Sequence, residues 1–241
     1  MLAILKADFR RLLHSKGFWT MEIILLTLPY VINFQPAQDT DIIQTFNIDG
    51  LAVLKQAFES GASIQTFMLL MTLYLIGPEL SRQIYKNSLI SGVSRLKYYL
   101  NKWLMIFLLT GFNLLIFVGL RYLYARCFLD MSGVTSEFLV QGFQVVILQW
   151  IFIQFWVSIF FTIMHLSHSI PITLTSFFLV GPLMTYIPML WPNITWLRYI
   201  DVDPNFQFLQ DPNLPLALGL TLTKTLLIGC LGYQIFKRRD L

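Results

Sequence analysis

The residues of this chain that could do chemistry are few and widely spaced. Glu22 and Lys224 each fall inside a long apolar run. A charge at the bilayer centre costs about 2.5–3.5 kcal/mol on insertion scales, so each should face a partner or a wet cavity. Glu22 is the intramembrane acid available to Lys224, although snorkelling or hydrogen bonds to neighbouring carbonyls would serve the lysine as well. Gln141, Gln144, Gln149 and Gln154 recur along another apolar run. They either line a route or hold helices together, and the second is the commoner use of such residues. Glu22, Glu79, Gln144, Gln149 and Lys224 are thus the candidates for an intramembrane polar or cargo path. His165 and His168 stand three apart with no carboxylate nearby to complete a zinc site, which reads as two interfacial residues in a turn. Asn193-Ile-Thr195 matches a short glycosylation triplet. There is no G-x-x-x-x-G-K-[ST] loop and no H-E-x-x-H, so nucleotide hydrolysis and zinc proteolysis are not expected of the chain itself. No catalytic, cofactor-binding or metal-ligating set converges.

The elements that must position these residues are membrane segments. The 241 residues are 56% hydrophobic and only 12% charged, where soluble domains carry roughly a quarter charged residues. The net charge of +4 comes from residues at the edges of apolar runs rather than from one basic patch, which argues against nucleic acid. Residues 2–16 place Leu2, Leu5, Phe9, Leu12 and Leu13 on one helical face and Lys6, Asp8, Arg10, Arg11 and His14 on the other. That pattern predicts an amphipathic helix in the headgroup plane, after which Gly17 turns the chain into the bilayer. No cleavable signal is expected, because this first segment has no apolar h-region. Spans follow at 18–34, 63–80, 103–124, 138–164, 169–190 and 214–236, with polar outer stretches at 35–62 and 191–213. The second of these stretches carries Trp191, Trp196, Tyr199, Phe206 and Phe208 as interfacial anchors.

Charge sets the orientation. Lys6, Arg10, Arg11 and Lys16 precede the first span. The 81–102 connection carries Arg82, Lys86, Arg95, Lys97 and Lys102, and the tail carries Lys237, Arg238 and Arg239. The opposite side has Lys55, Arg121, Arg126 and Arg198. The positive-inside rule therefore puts both termini in the cytoplasm, with an even number of spans between them. Cys127 and Cys230 then lie on opposite sides of the membrane, too far apart for a disulfide. The expected fold is an all-α polytopic membrane protein: an amphipathic N-terminal elbow helix plus six transmembrane helices. Within 81–102, Ile84 to Ile90 can form a short helix that Gly92 ends.

In order and topology these parts resemble the permease subunits of ABC-2-type transporters. The resemblance rests on Phe9-Arg10-Arg11 and Ser15-Lys16 before the first span, and on Glu79 ending the second. It continues with Ser91-Gly92-Val93-Ser94-Arg95, Tyr98-Tyr99 and Lys102 entering the third, and with the Phe236-Lys-Arg-Arg-Asp240-Leu241 end. It implies that Arg82, Tyr85, Lys86, Leu89, Ile90, Gly92, Ser94 and Arg95 form a coupling region that contacts a separate cytoplasmic ABC ATPase. In that region Tyr85, Leu89 and Ile90 would be apolar knobs. It further implies that Phe9, Arg10 and Arg11 belong to the elbow, and that a second permease subunit, identical or different, completes the transporter. ATP and Mg would be bound by the partner, with no cofactor in this chain. Residues 191–213 would match the family's outer re-entrant region. The small size and aromatic outer segments look most like bacteriocin and lantibiotic immunity or peptide-export permeases of the bacterial plasma membrane. Lys224 has no counterpart in that pattern. Two other readings stay open: a membrane immunity or sensor protein that binds a peptide without moving it, and an ABC permease for lipid, polysaccharide or ion. An intramembrane enzyme is disfavoured by the lack of convergent groups.

Overall fold

The structure, a computed structural model, describes residues 2–33, 49–191, 193–194 and 214–238. Among the described residues the chain is helical throughout, with no strand. The helices are α1 (Leu2–Leu13), α2 (Lys16–Asn33), α3 (Gly50–Phe58), α4 (Gly61–Ser81), α5 (Tyr85–Ile90), α6 (Arg95–Phe128), α7 (Ser136–Ser167), α8 (Ile170–Leu190) and α9 (Leu214–Arg238). Four of these, α4, α6, α7 and α9, are long and apolar enough to cross a membrane, and the protein is membrane-embedded. The 34 residues of α6 extend about 50 Å at ~1.5 Å per residue, well beyond a hydrocarbon core of ~30 Å. Its ends therefore stand in the polar layers.

Helix boundaries follow from local chemistry. Asp49, Ser94, Thr135 and Ser169 cap α3, α6, α7 and α8, each side chain accepting a backbone N–H in the first turn. His168 ends α7 in the left-handed region at φ 52°, with its amide on the Met164 carbonyl. Gln83 (φ 56°) turns α4 into α5, and Gly92 (φ 92°) separates α5 from α6. α4 runs through Pro78 to Ser81.

The centre of the bundle is α7. It packs against α9 most extensively, and also against α4, α6, α8 and α3. Its aromatic residues Phe152, Phe155, Phe160 and Phe161 are fully enclosed. Close approach at one point requires glycine: a Cβ at Gly142 would lie 2.2 Å from the Phe58 ring of α3. α3 itself is buried along Val53, Leu54, Ala57 and Phe58, and the Gly50 N–H bonds the Asp130 carbonyl at 2.8 Å.

Several expectations shift. The chain breaks at His14–Ser15, not at Gly17, which lies inside α2 against Tyr74. Ser15 fixes that break: its hydroxyl shares a 2.6 Å hydrogen bond with Tyr74. On α1, Leu12 is buried but Leu13 is half exposed, so the apolar face is narrower than the spacing suggests. The stretch 35–62, expected as polar and outer, contains α3 and its buried face. α6 starts at Arg95 rather than near Trp103, so the last residues of the 81–102 connection are helical. His165 is not interfacial but fully buried within α7. Residues 34–48, most of 191–213 including the anchors Trp196, Tyr199, Phe206 and Phe208, and 239–241 lie outside the described residues.

Candidate functional site

The densest polar constellation sits where α4, α5 and α6 meet, and α1 closes over it. Glu79, in the last turn of α4, is 5% exposed. One carboxylate oxygen accepts from the Arg11 guanidinium and from Lys102 Nζ at 3.0 Å. The other accepts from the Tyr98 hydroxyl at 2.6 Å. Lys102 also donates to Asp8 Oδ2 at 2.9 Å, and Asn101 Nδ2 reaches the same oxygen at 2.9 Å. Two acids and two bases thus neutralise one another, each buried charge with charge-assisted hydrogen bonds. Three helices are tied at one point: α1 by Asp8 and Arg11, α4 by Glu79, and α6 by Tyr98, Asn101 and Lys102.

Beside this ionic knot lies an aromatic one. Tyr85, at the start of α5, is buried against Tyr98, His168 and Phe236, with ring centroids 6.3, 5.6 and 5.5 Å away. Tyr98 stacks on Phe236 at 5.7 Å, and His165 packs among Phe161, Tyr99 and Phe236. Arg95 donates to the backbone carbonyls of Phe236 and Lys237, so a cation satisfies the negative end of α9.

The predicted coupling residues are therefore unlike one another. Tyr85 is an anchor turned inward, which removes it from the expected exposed knobs. Leu89 is half-buried and Ile90 is 78% exposed. Arg82 is exposed and Lys86 half-buried. Gly92 supplies the positive-φ turn, Ser94 caps α6 by accepting from Lys97 N, and Arg95 is committed to α9. With Ile84 and Leu96 also substantially exposed, the corner offers an apolar and basic surface on a firmly held frame. On α1, Phe9 is half-buried, while Arg10 is exposed and its carbonyl accepts from His14. Sequence reasoning passed over Asp8, Asn101, Tyr98, His168 and Phe236 as site residues. A paired acid and base on either side of Glu79 was the available signal, but their separation in the chain hid it.

The expected path residues are not assembled into one route. On α7, Gln144 faces outward and is exposed, whereas Gln149 is buried and donates to the Phe58 carbonyl of α3. Lys224 stands 4.5 Å over the Phe155 ring. Glu22 is buried on α2 and faces the Asn113 amide. A groove of about 590 Å³ between α2 and α6 is lined by none of them, but by apolar residues such as Leu26, Leu120 and Leu123. Among the described residues no group of His, Cys, Asp and Glu is placed to hold a metal ion. In the loop before α7, Ser132 donates twice to Asp130, which holds that exposed carboxyl below its usual range.

No family model matches the sequence, and no curated protein matches it.

Proposed function

We propose that the chain is the membrane-spanning permease subunit of an ATP-driven exporter of the ABC-2 type. In this reading α2, α4, α6, α7, α8 and α9 are six spans, α1 is the elbow helix, and both termini are cytoplasmic. The α4–α6 corner faces the cytosol and docks a separate ATPase that binds ATP and Mg. A second permease subunit completes the transporter, and amphipathic peptides are the cargo that the resemblance favours.

One observation supports this reading above the others. α5 is fixed at its first residue by the buried Tyr85, and it leaves Ile90 exposed at the far end of a basic corner. A helix held in this way transmits a push instead of absorbing it, because its frame joins α4, α6 and α9 through buried contacts. At this corner no acid is left over for acid–base chemistry, since Asp8 and Glu79 are both taken up in ion pairs.

The experiment is co-purification of the tagged full-length chain from its native membrane, with the bound proteins identified. An ABC ATPase should co-elute with the wild type, and Ile90→Asp should abolish its capture while membrane insertion stays normal. Capture unchanged by Ile90→Asp, together with its counterpart Leu89→Asp, sinks the docking assignment. ATP turnover by the purified complex separates a transporter from an immunity or sensor protein that only binds peptide.

A further inference from the structure

The side of α1 and α2 turned away from the bundle carries a charge that the corner does not use. On α1, Leu5, Phe9 and Leu12 pack inward, while Lys6, Arg10 and Leu13 share another face and are exposed. On α2, Phe18, Glu22 and Leu25 are buried, and the outer side runs Lys16, Trp19, Ile23 and Ile24, all exposed. The two outer faces are joined at the break between the helices, where Trp19 Nε1 donates to the Leu13 carbonyl at 2.8 Å. α1 is held in place by Asp8 on Lys102 and by Arg11 on Glu79.

The acids of the two helices are withdrawn from this surface. Asp8 is 12% exposed at its side chain and paired with Lys102, and Glu22 is buried. Among the described residues Lys6, Arg10 and Lys16 enter no ion pair. Three cations therefore face outward with no exposed acid on either helix. The residues that follow them indicate what they meet. Lys16, Trp19 and Ile23 succeed one another along one side of α2 over about 10 Å. Cation, indole and branched aliphatic in that order match the headgroup, interfacial and chain layers of a lipid leaflet. A soluble acidic partner would meet the cations but leave Trp19, Ile23 and Ile24 in water, at 50%, 58% and 48% exposure.

We infer that the outer face of α1 and α2 binds an anionic phospholipid. Lys6, Arg10 and Lys16 hold its phosphate-bearing headgroup, Trp19 lies at the glycerol level, and an acyl chain runs over Ile23 and Ile24. Attraction between exposed charges fades over about 10 Å at 0.1 M salt. The preference for an anionic over a zwitterionic lipid is therefore short-ranged and weakened by salt. The inference rests on the proposed reading of α2 as a span, but not on the exporter assignment or its cargo.

The test uses the full chain in phosphatidylcholine vesicles, with Cys127 and Cys230 replaced by serine and an NBD fluorophore on Ile23→Cys. Quenching is titrated with phosphatidylglycerol, or with phosphatidylcholine, carrying a nitroxide near the top of the acyl chain. The ratio of the two association constants should favour phosphatidylglycerol and fall as sodium chloride is raised. Lys6→Gln, Arg10→Gln and Lys16→Gln should each lower that ratio up to about fivefold. Lys237→Gln combined with Arg238→Gln, which removes exposed cations from α9 instead, should leave it unchanged. A ratio near one, or one that the triple α1–α2 variant does not alter, overturns the inference. So does a ratio that the α9 variant lowers as far, which marks general surface charge. If neither probe quenches the label, α2 lies away from lipid and the span reading falls as well. Equal quenching by both leaves the span standing and removes only the lipid site. The wild-type ratio and its salt dependence need none of the charge variants, so they decide even where one of those fails to fold.

Discussion

At the residue scale, of the two cations that reach Glu79 one is buried and one is not, and they differ in energetic weight. Lys102 is 5% exposed at its side chain, Arg11 57%. Removing one member of a buried pair leaves an uncompensated charge and costs about 3–5 kcal/mol, whereas a solvent-screened pair is worth about 0–1 kcal/mol. Lys102→Met should therefore lower the thermal midpoint in detergent far more than Arg11→Met. Adding Glu79→Gln to Lys102→Met should recover part of the loss, which a double-mutant cycle would read directly. Little of this was legible in the sequence. Glu79 stood out as a span-ending acid, but its partners lie 68 residues before it, at Arg11, and 23 after it, at Lys102. No periodic pattern marks contacts between residues so far apart in the chain. Tyr85 misled for a related reason: an aromatic residue in a basic connection looks like a docking knob until Phe236 and His168 arrive beside it.

At the element scale, helices that meet without room for a methyl group depend on glycine. A Cβ at Gly232 of α9 would lie 2.5 Å from both Thr162 Oγ1 and Tyr99 Oη, whereas one at Gly219 meets nothing within 4 Å. Gly232→Ala should destabilise the bundle by about 1–3 kcal/mol through overpacking. Gly219→Ala should be neutral, or stabilising by about 0.4–1 kcal/mol, because alanine restricts the unfolded chain and fits a helix. Thermal unfolding of the two variants side by side checks the pair. The long helices were readable because apolar runs bounded by polar residues define them. α3 was missed, although Asp49 is a good cap and Val53, Leu54, Ala57 and Phe58 recur at helical spacing. The acids around this short amphipathic stretch outweighed its apolar face in the reading. The break between α1 and α2 was misplaced because glycine is the stronger local signal, whereas the Ser15–Tyr74 bond that sets it is tertiary.

At the scale of the whole molecule, the proposed orientation has a direct check. Ile90→Cys, placed in a chain whose exposed Cys127 and Cys230 are replaced by serine, should react with impermeant maleimide only after the cytoplasmic face is opened. Labelling in sealed cells would reverse the topology and remove the docking proposal with it. The proposed orientation rests on the distribution of lysine and arginine alone, whereas the way α9 returns to the corner was not legible in the sequence. Arg95 seals the end of α9 from 141 positions earlier in the chain, a contact that only the folded bundle creates. The Asp8–Lys102 pair also sets an order of events during synthesis. α1 leaves the ribosome before α6, and Lys102, which neutralises Asp8, is made 94 positions after it. Until then the amino-terminal helix has no basic partner on α6 and stays a loose surface segment. A nascent chain arrested before Lys102 should therefore leave α1 open to protease, and one arrested well beyond it should leave α1 protected.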